Sequence, residues 1–323
     1  MSTSDSRQPL GRLRQQLGRV GWLVREIARA GWPSLAVRFD GGLGDDLMLS
    51  AVFREWRCRG RRGLWVMTGA PELFAGNSDV DHVVPCLEEF VIALRRVGVT
   101  VAHCHYHRYD ALADRDEAPG EHYIAAMCRG AGLTGEVRLR PYLALGEFER
   151  QQGRIGPDQV VIQTSAQGAR FPIPNKEWPV GHVGQVVERL VRHFTVVQLG
   201  AAQDPTFPGV VDLRGRTTIR EAAGILASSR VFVGLPGFLM HLARAVETRS
   251  VIVFGGREDP AISGYAEFEN LVSTMACAPC WRRRTCPYDR ECLRTIQPAE
   301  VCDAIERAIA RGNQPLGVAT TFL

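Results

Sequence analysis

The stretch Leu35-Ala36-Val37-Arg38-Phe39-Asp40-Gly41-Gly42-Leu43-Gly44-Asp45-Asp46 decides the fold. An apolar run of strand length enters a turn with three glycines, and two aspartates open a helical pattern that continues to about Arg57. Strand, glycine turn and helix form the opening unit of a parallel sheet. Further strands are expected at Leu64–Thr68, Val80–Val84 and Val99–Cys104, with helices near 88–97 and 120–131. Gly146–Gln159 is polar, carries Gly153, Gly156 and Pro157, and reads as a linker. The alternation then restarts, with strands at Val160–Gln163, Thr195–Leu199, Val231–Val233 and Ser250–Phe254. Helices are expected near 181–193, 218–228, 238–247 and 298–311. Two such runs predict an α/β protein of two Rossmann-like parallel-sheet domains, residues 34–150 and 151–323, facing a central cleft. Ligands in such sheets sit beyond the carboxyl ends of the strands, so the post-strand loops are where chemistry is sought.

The chain has 323 residues and a net charge of +4. Residues 1–33 carry arginines 7, 12, 14, 19, 25 and 29 against Asp5 and Glu26, which is itself +4. The remainder is near neutral, and no broad basic face for nucleic acid is indicated. Residues 8–31 read as a basic amphipathic helix, with Leu10, Leu13, Leu17, Val20 and Val24 at three- and four-residue spacing. Its apolar stripe fits an anionic membrane surface, its own domain or a second subunit. No apolar run approaches the ~18 residues of a membrane span, and no signal-peptide pattern opens the chain. The expected location is the cytoplasm, with the inner face of the membrane as a second place.

Positive charge is written as arginine 38 times and as lysine once, in Asn175-Lys176-Glu177-Trp178-Pro179. Lysine is a compact point charge where arginine is a broad planar fork, so a narrow phosphate cleft would require the smaller group. The loops agree with that reading. Strand Val160–Gln163 runs into Thr164-Ser165-Ala166-Gln167-Gly168, whose hydroxyls and amides suit phosphate oxygens. Asp204 follows the second strand of the second domain, where a carboxylate accepts from a ribose. Strand Val231–Val233 leads through Gly237 to a helix start at Met240 and His241, whose free N–H groups form a second phosphate cradle. His241 serves equally as a core histidine. Asp45 and Asp46 serve equally as helix caps, and a capped carboxylate is also fixed in direction, as a general base needs. His103, His105 and His107 would share one face of a continuing strand, marking an acceptor edge, a metal site or a solvated strand end.

Cys277, Cys280, Cys286 and Cys292 are four of the nine cysteines, at spacings of two, five and five residues. In a reducing compartment, four close thiols suit tetrahedral zinc or iron, with reduced thiols or a disulfide as the alternatives. No coordination position is left open, which makes it a structural site.

The strings Asn175-Lys176-Glu177-Trp178-Pro179, Leu239-Met240-His241-Leu242-Ala243 and Phe254-Gly255-Gly256 with Pro260, Gly264 and Tyr265, together with Gly44-Asp45, resemble glycosyltransferase family 9. This is the ADP-heptose heptosyltransferase family, of GT-B architecture, and the likeness runs over roughly 35–310. It implies an inverting transfer of heptose from ADP-heptose to an acceptor hydroxyl, with Asp45 as base and Lys176 on the diphosphate, and no required Mg²⁺. Gly44, Thr164, Ser165, Asp204, Gly237, Met240 and His241 would complete the donor site. The acceptor, whether glycan, protein or small molecule, is left open. The cysteine string resembles a knuckle in a branch that includes bacterial autotransporter heptosyltransferases, and there the metal is iron. Many members read Asp-Ser/Thr-Gly where this chain reads Pro236-Gly237-Phe238, which keeps two alternatives open: another sugar-nucleotide donor, and a non-catalytic nucleotide-sugar-binding scaffold.

Overall fold

The computed structural model describes residues 21–39, 41–312 and 314–323. Residues 21–30 are helical (α1) and precede β1 (Leu35–Arg38), α2 (Leu43–Cys58), β2 (Leu64–Thr68), β3 (His82–Pro85), α3 (Glu88–Arg96) and β4 (Val101–His103). A hairpin of β5 (Arg108–Asp110) and β6 (Arg115–Glu117) comes next, then α4 (Tyr123–Gly130), β7 (Glu136–Arg138) and α5 (Glu147–Gln152). The second half runs β8 (Gln159–Gln163), α6 (Val180–Leu190), β9 (Thr195–Leu199), β10 (Val211–Asp212), α7 (Ile219–Ala227), β11 (Val231–Gly234) and α8 (Phe238–Ala245). It ends with β12 (Ser250–Gly255), α9 (Pro260–Ser263), β13 (Glu269–Val272), α10 (Glu291–Arg294), α11 (Pro298–Ala310) and β14 (Thr320–Phe322).

Both sheets are parallel, as the alternation predicts. The first has the order β3-β2-β1-β4 and the second β10-β9-β8-β11-β12-β13. The second order is that of a complete dinucleotide-binding sheet, and each reverses direction beside its own first strand. The crevices therefore open at the carboxyl ends of β1 and β4 in one domain, and of β8 and β11 in the other.

The strands are apolar on both faces because both faces are covered. Val160, Ile162, Val196, Val231, Val233, Val251 and Val253 pack outward on α6 and α11. Val161, Val197, Leu199, Phe232, Ile252 and Phe254 pack inward, into a cluster that also holds Val37, Leu47, Met48, Val52 and Phe53 of the first domain. The two domains thus share one apolar layer, where α2, backed by α4, meets α8, which packs beside α7, with the cleft at its rim. On the outer face of the first sheet, Leu23 of α1 is buried and Trp22 stacks on Phe90 at 3.6 Å. Residues 21–30 accordingly use their apolar side on their own domain, while residues 8–20 of that expected helix lie outside the described residues. None of the described helices is long and apolar enough to cross a membrane.

Some segments differ from their expectation. The polar stretch 146–159 includes α5, which lies against α7 backbone to backbone: a Cβ at Gly153 would sit 2.1 Å from the Gly224 carbonyl oxygen. Glycine at both positions is what permits that approach. Strand β4 ends at His103, so the three histidines do not share a strand face. The C-terminal β14 returns to the first half of the chain and pairs antiparallel with β7.

Candidate active site

The loop after β1 ends at Gly42, which caps α2. Its N–H donates to Asp45 Oδ2 at 2.7 Å, so Asp45 is a helix cap as well as a cleft residue. Gly41 cannot carry a side chain, because a Cβ would lie 2.2 Å from Asp45 Oδ2 and 2.3 Å from the Phe39 ring. The other carboxylate oxygen, Oδ1, accepts a short hydrogen bond from the Tyr106 hydroxyl. Burial pushes the Asp45 carboxyl above the ordinary aspartate range; Tyr106, Gly42 and the charges of His107 and Lys176 offset only part of this. Asp46 has a different task. It is buried and accepts from Thr68 Oγ1 at 2.6 Å, tying α2 to β2. Of the two, Asp45 is the half-buried carboxylate at the cleft, where Asp46 is buried.

Tyr106 carries no signal in the sequence beyond its place in His103-Cys104-His105-Tyr106-His107. The histidines alternate, yet the even-numbered tyrosine reaches the carboxylate. It stacks between Phe39 (5.2 Å) and Tyr123 (3.9 Å). The His103 and His105 rings lie tilted against each other at 3.6 Å, while His107 turns away toward Arg283. Beside Tyr106, a cavity of about 550 Å³ opens on the first domain between His105, His107, Arg108, Glu117 and Arg129.

Every residue of Asn175-Lys176-Glu177-Trp178-Pro179 has a separate task. Trp178 is buried and its indole N–H donates to the Ile296 carbonyl at 3.2 Å. Asn175 donates to the carbonyls of Arg282 and Thr285, at 3.1 and 3.0 Å, in the cysteine segment. Glu177 accepts from the Ala166 N–H at 2.9 Å, holding the loop after β8, and Pro179 caps α6. With its neighbours anchored, Lys176 extends into the cleft. Its Nζ lies 2.6 Å from Glu258 Oε1 and 3.4 Å from the Pro236 carbonyl oxygen.

Lys176 opens a chain of buried charges that crosses between the domains. Glu258 also accepts from Arg257, and its second oxygen accepts from Ser263 Oγ at 2.8 Å. Burial pushes the Glu258 carboxyl up, but Lys176 and Arg257 outweigh it and hold it at about 2. Arg257 donates in turn to Asp116 on β6 of the first domain, and Arg283 donates to the other Asp116 oxygen at 2.6 and 2.9 Å. Arg283 donates to His107 Nε2 at 3.2 Å, which suits the neutral ring that burial favours. Glu258, Arg257, Asp116 and Arg283 are absent from the sequence reading.

The other expected donor residues divide. His241 is buried, with Nδ1 2.7 Å from the Tyr265 hydroxyl, and burial together with the Lys176 charge lowers it to about 3. It is a neutral ring at working pH. Gly44 packs on it: a Cβ at Gly44 would stand 2.9 Å from His241 Cδ2, so the amino ends of α2 and α8 meet in close contact. Gly237 caps α8, and the first N–H groups of that helix have no intrahelical carbonyl to pair with. The Met240 side chain is buried in the shared apolar layer, so a ligand there would meet its backbone. Thr164 and Ser165 are buried with their hydroxyls engaged. Thr164 Oγ1 donates to the Pro205 carbonyl at 2.7 Å and accepts from Gln198, while Ser165 Oγ accepts from the Gln167 N–H at 3.1 Å. Asp204 Oδ2 accepts from the Ala201 N–H at 2.8 Å. Its Oδ1 is buried without a partner among the described residues, an acceptor ready for a hydroxyl.

The cysteine segment folds over the end of β12, which explains the Phe254-Gly255-Gly256 string. Gly255 has φ +64°, and a Cβ there would strike Leu293 at 2.5 Å; one at Gly256 would meet Cys292 Cβ at 2.9 Å and Ala278 Cβ at 3.1 Å. Cys277, Cys280, Cys286 and Cys292 are free thiols, half-buried and close enough for the other three to influence Cys292. The Arg290 N–H donates to Cys286 Sγ at 3.2 Å. The donor set fits a soft metal, and such N–H bonds favour thiolates. The thiols do not converge on a point, however: among the described residues no group of three or more His, Cys, Asp or Glu side chains is gathered as a metal would need.

Comparisons with known proteins agree with the fold and the motifs. The model of glycosyltransferase family 9 (heptosyltransferase) matches residues 140–290. Lipooligosaccharide heptosyltransferase 2 of Haemophilus influenzae is 28% identical over 140 residues. That match covers 36% of this chain and 40% of the relative, so the chain aligns with well under two thirds of the curated relative's length. Among solved structures, the iron-containing dodecameric glycosyltransferase TibC of enterotoxigenic E. coli has a TM-score of 0.67 at 17% identity, over 87% of this chain and 77% of that one. E. coli ADP-heptose lps heptosyltransferase II has a TM-score of 0.62 at 15% identity, over 87% of this chain and all of that one. The sequence match over residues 140–290 makes that part of the chain similar to glycosyltransferase family 9, and the two facing parallel sheets have the GT-B fold of the solved heptosyltransferases.

Proposed function

We propose that the chain is an inverting heptosyltransferase using ADP-heptose. The observation that carries this reading is the meeting of two helix amino ends at the two sheet crevices, with the raised carboxyl of Asp45 on one side and the single lysine on the other. Asp45 takes the proton of an acceptor hydroxyl. The oxygen attacks the anomeric carbon of the sugar as the bond to the diphosphate breaks on the opposite face, giving inversion. Lys176 and the free N–H groups of α8 offset the charge that develops on the leaving diphosphate. The free Asp204 oxygen accepts from a ribose hydroxyl. The cavity beside Tyr106 is the place for the acceptor, on the domain that carries the base. A neighbouring fold, TibC, has been solved with ADP-D-beta-D-heptose, which supports the donor. Nothing in the site requires a membrane, and the cytoplasm remains the proposed location.

Titration calorimetry with a panel of sugar nucleotides and free nucleotides tests the donor. ADP and ADP-heptose are expected to bind, with affinity collapsing in Lys176→Ala. Preference for a UDP- or GDP-sugar would keep the mechanism and overturn the donor, an outcome that Pro236-Gly237-Phe238 keeps in view. Binding with no transfer to any acceptor would favour the scaffold alternative.

The cysteine segment is proposed as a structural metal knuckle, with Cys277, Cys280, Cys286 and Cys292 as thiolate ligands to zinc or iron. The donor chemistry and the N–H bond to Cys286 support it, and the metal would brace the turn after β12. Elemental analysis of the purified chain is expected to give one zinc or iron atom per molecule, lost in Cys280→Ser together with thermal stability. A metal-free native chain of unchanged stability would remove the knuckle from the account.

A further inference from the structure

The chain's only lysine is not free in the cleft. Its Nζ is held by Glu258 at 2.6 Å, with both side chains nearly buried. We propose that Glu258 is a positioning residue for the diphosphate-binding lysine: its carboxylate holds the ammonium between the two helix amino ends and is the counter-charge that a donor diphosphate must share. This rests on the reading of Lys176 as the donor's cation.

The surroundings single out Glu258. The loop before α8 offers Lys176 the Pro236 carbonyl at 3.4 Å and, in Pro236-Gly237-Phe238, no carboxylate. His241 on α8 is kept neutral by burial and by the Lys176 charge, so it offers no counter-charge, and Arg257 lowers the lysine's pKa. Asp116 on β6 and Asp45 on α2 are felt more weakly by the lysine or only from across the cleft. Glu258 itself is locked, by Arg257 on one oxygen and by Ser263 on the other at 2.8 Å. An ammonium on a flexible stem loses rotamer freedom when a ligand fixes it in place. Tethering it in advance removes part of that cost from donor binding. Burial lowers the Lys176 pKa and Glu258 is the largest influence raising it, so loss of the carboxylate must lower the lysine further.

One lysine in 323 residues makes the test direct, because the full chain grown on ¹³Cε-lysine gives a single lysine resonance. Its titration is followed in the wild type, Glu258→Gln and Glu258→Asp, with and without ADP. In Glu258→Gln the midpoint is expected to fall by about one pH unit or more, and in Glu258→Asp by less. ADP should raise the midpoint in each. Above the variant's midpoint, ADP affinity should drop roughly tenfold per pH unit while the wild type still binds. A wild-type midpoint in Glu258→Gln, or an affinity loss that is the same at every pH, would overturn the proposal. If Glu258→Gln does not fold, Glu258→Asp decides by the same criterion. ADP binding that leaves the wild-type lysine signal unmoved would instead remove the donor role of Lys176, and the midpoint in Glu258→Gln would still report the pairing.

Discussion

Replacing Asp45 by asparagine is expected to lower the turnover of sugar transfer by roughly 10²–10⁴-fold, the usual contribution of a positioned general base. ADP binding should persist. Asparagine keeps an oxygen for the Gly42 N–H, which Asp45 accepts at 2.7 Å, so the cap and the fold survive. It removes the site for the acceptor's proton. Alanine would remove the cap as well, at about 1 kcal/mol of stability, which makes asparagine the cleaner probe. The burial that raises the Asp45 carboxyl makes it a stronger base when ionised. Transfer should therefore fall as pH drops through that raised value, as the carboxylate takes up a proton. Turnover of the asparagine variant above a tenth of wild type, measured at saturating donor by product formation, would reduce Asp45 to a cap.

The parts of the molecule visible in the sequence are those written locally. Val160–Gln163, Thr195–Leu199 and Ser250–Phe254 are short, mostly apolar runs, and strands β8, β9 and β12 fall on them, because burial on both faces of a parallel sheet demands such runs. Lys176 stood out by rarity and Asp45 by its place at a helix start. The hairpin β5–β6 was illegible for the opposite reason. Arg108-Tyr109-Asp110 and Arg115-Asp116-Glu117 are charged, short and without apolar alternation, and they hold their shape through partners more than a hundred residues away. Glu258 and Arg257 are invisible in the same way, since a charge acquires meaning from the charge opposite it and no spacing rule records that. Thr164 shows the converse: a hydroxyl after a strand reads as a phosphate contact, and the structure adds that Gln198 and Pro205 engage it, which no local spacing records.

Asp116 should be the residue whose loss costs the fold most. It lies on the first domain and accepts from Arg257 and Arg283 of the second, with the Arg257 and Asp116 side chains 2% and 6% exposed. Asp116→Ala would leave Arg257 with Glu258 as its one carboxylate, already shared with Lys176, beside the Arg282 carbonyl, and Arg283 with the neutral His107. Breaking a buried pair by removing one partner typically costs about 3–5 kcal/mol, because the remaining charges stay out of water without compensation. We expect a loss of that size in urea unfolding. The missing link is also one between domains, so the unfolding transition should broaden or divide, since a smaller shared interface couples the two halves less. Asp116→Asn retains volume and an acceptor but not charge and should fall between. A loss below about 1 kcal/mol would mean that water reaches these groups and that the network is a surface pairing. The same substitution bears on the cleft: with Asp116 gone, Arg257 turns its whole charge on Glu258, which competes with Lys176 for that carboxylate. Nucleotide affinity measured well below the unfolding transition should therefore weaken in Asp116→Ala, although Asp116 touches no ligand in the proposed mechanism.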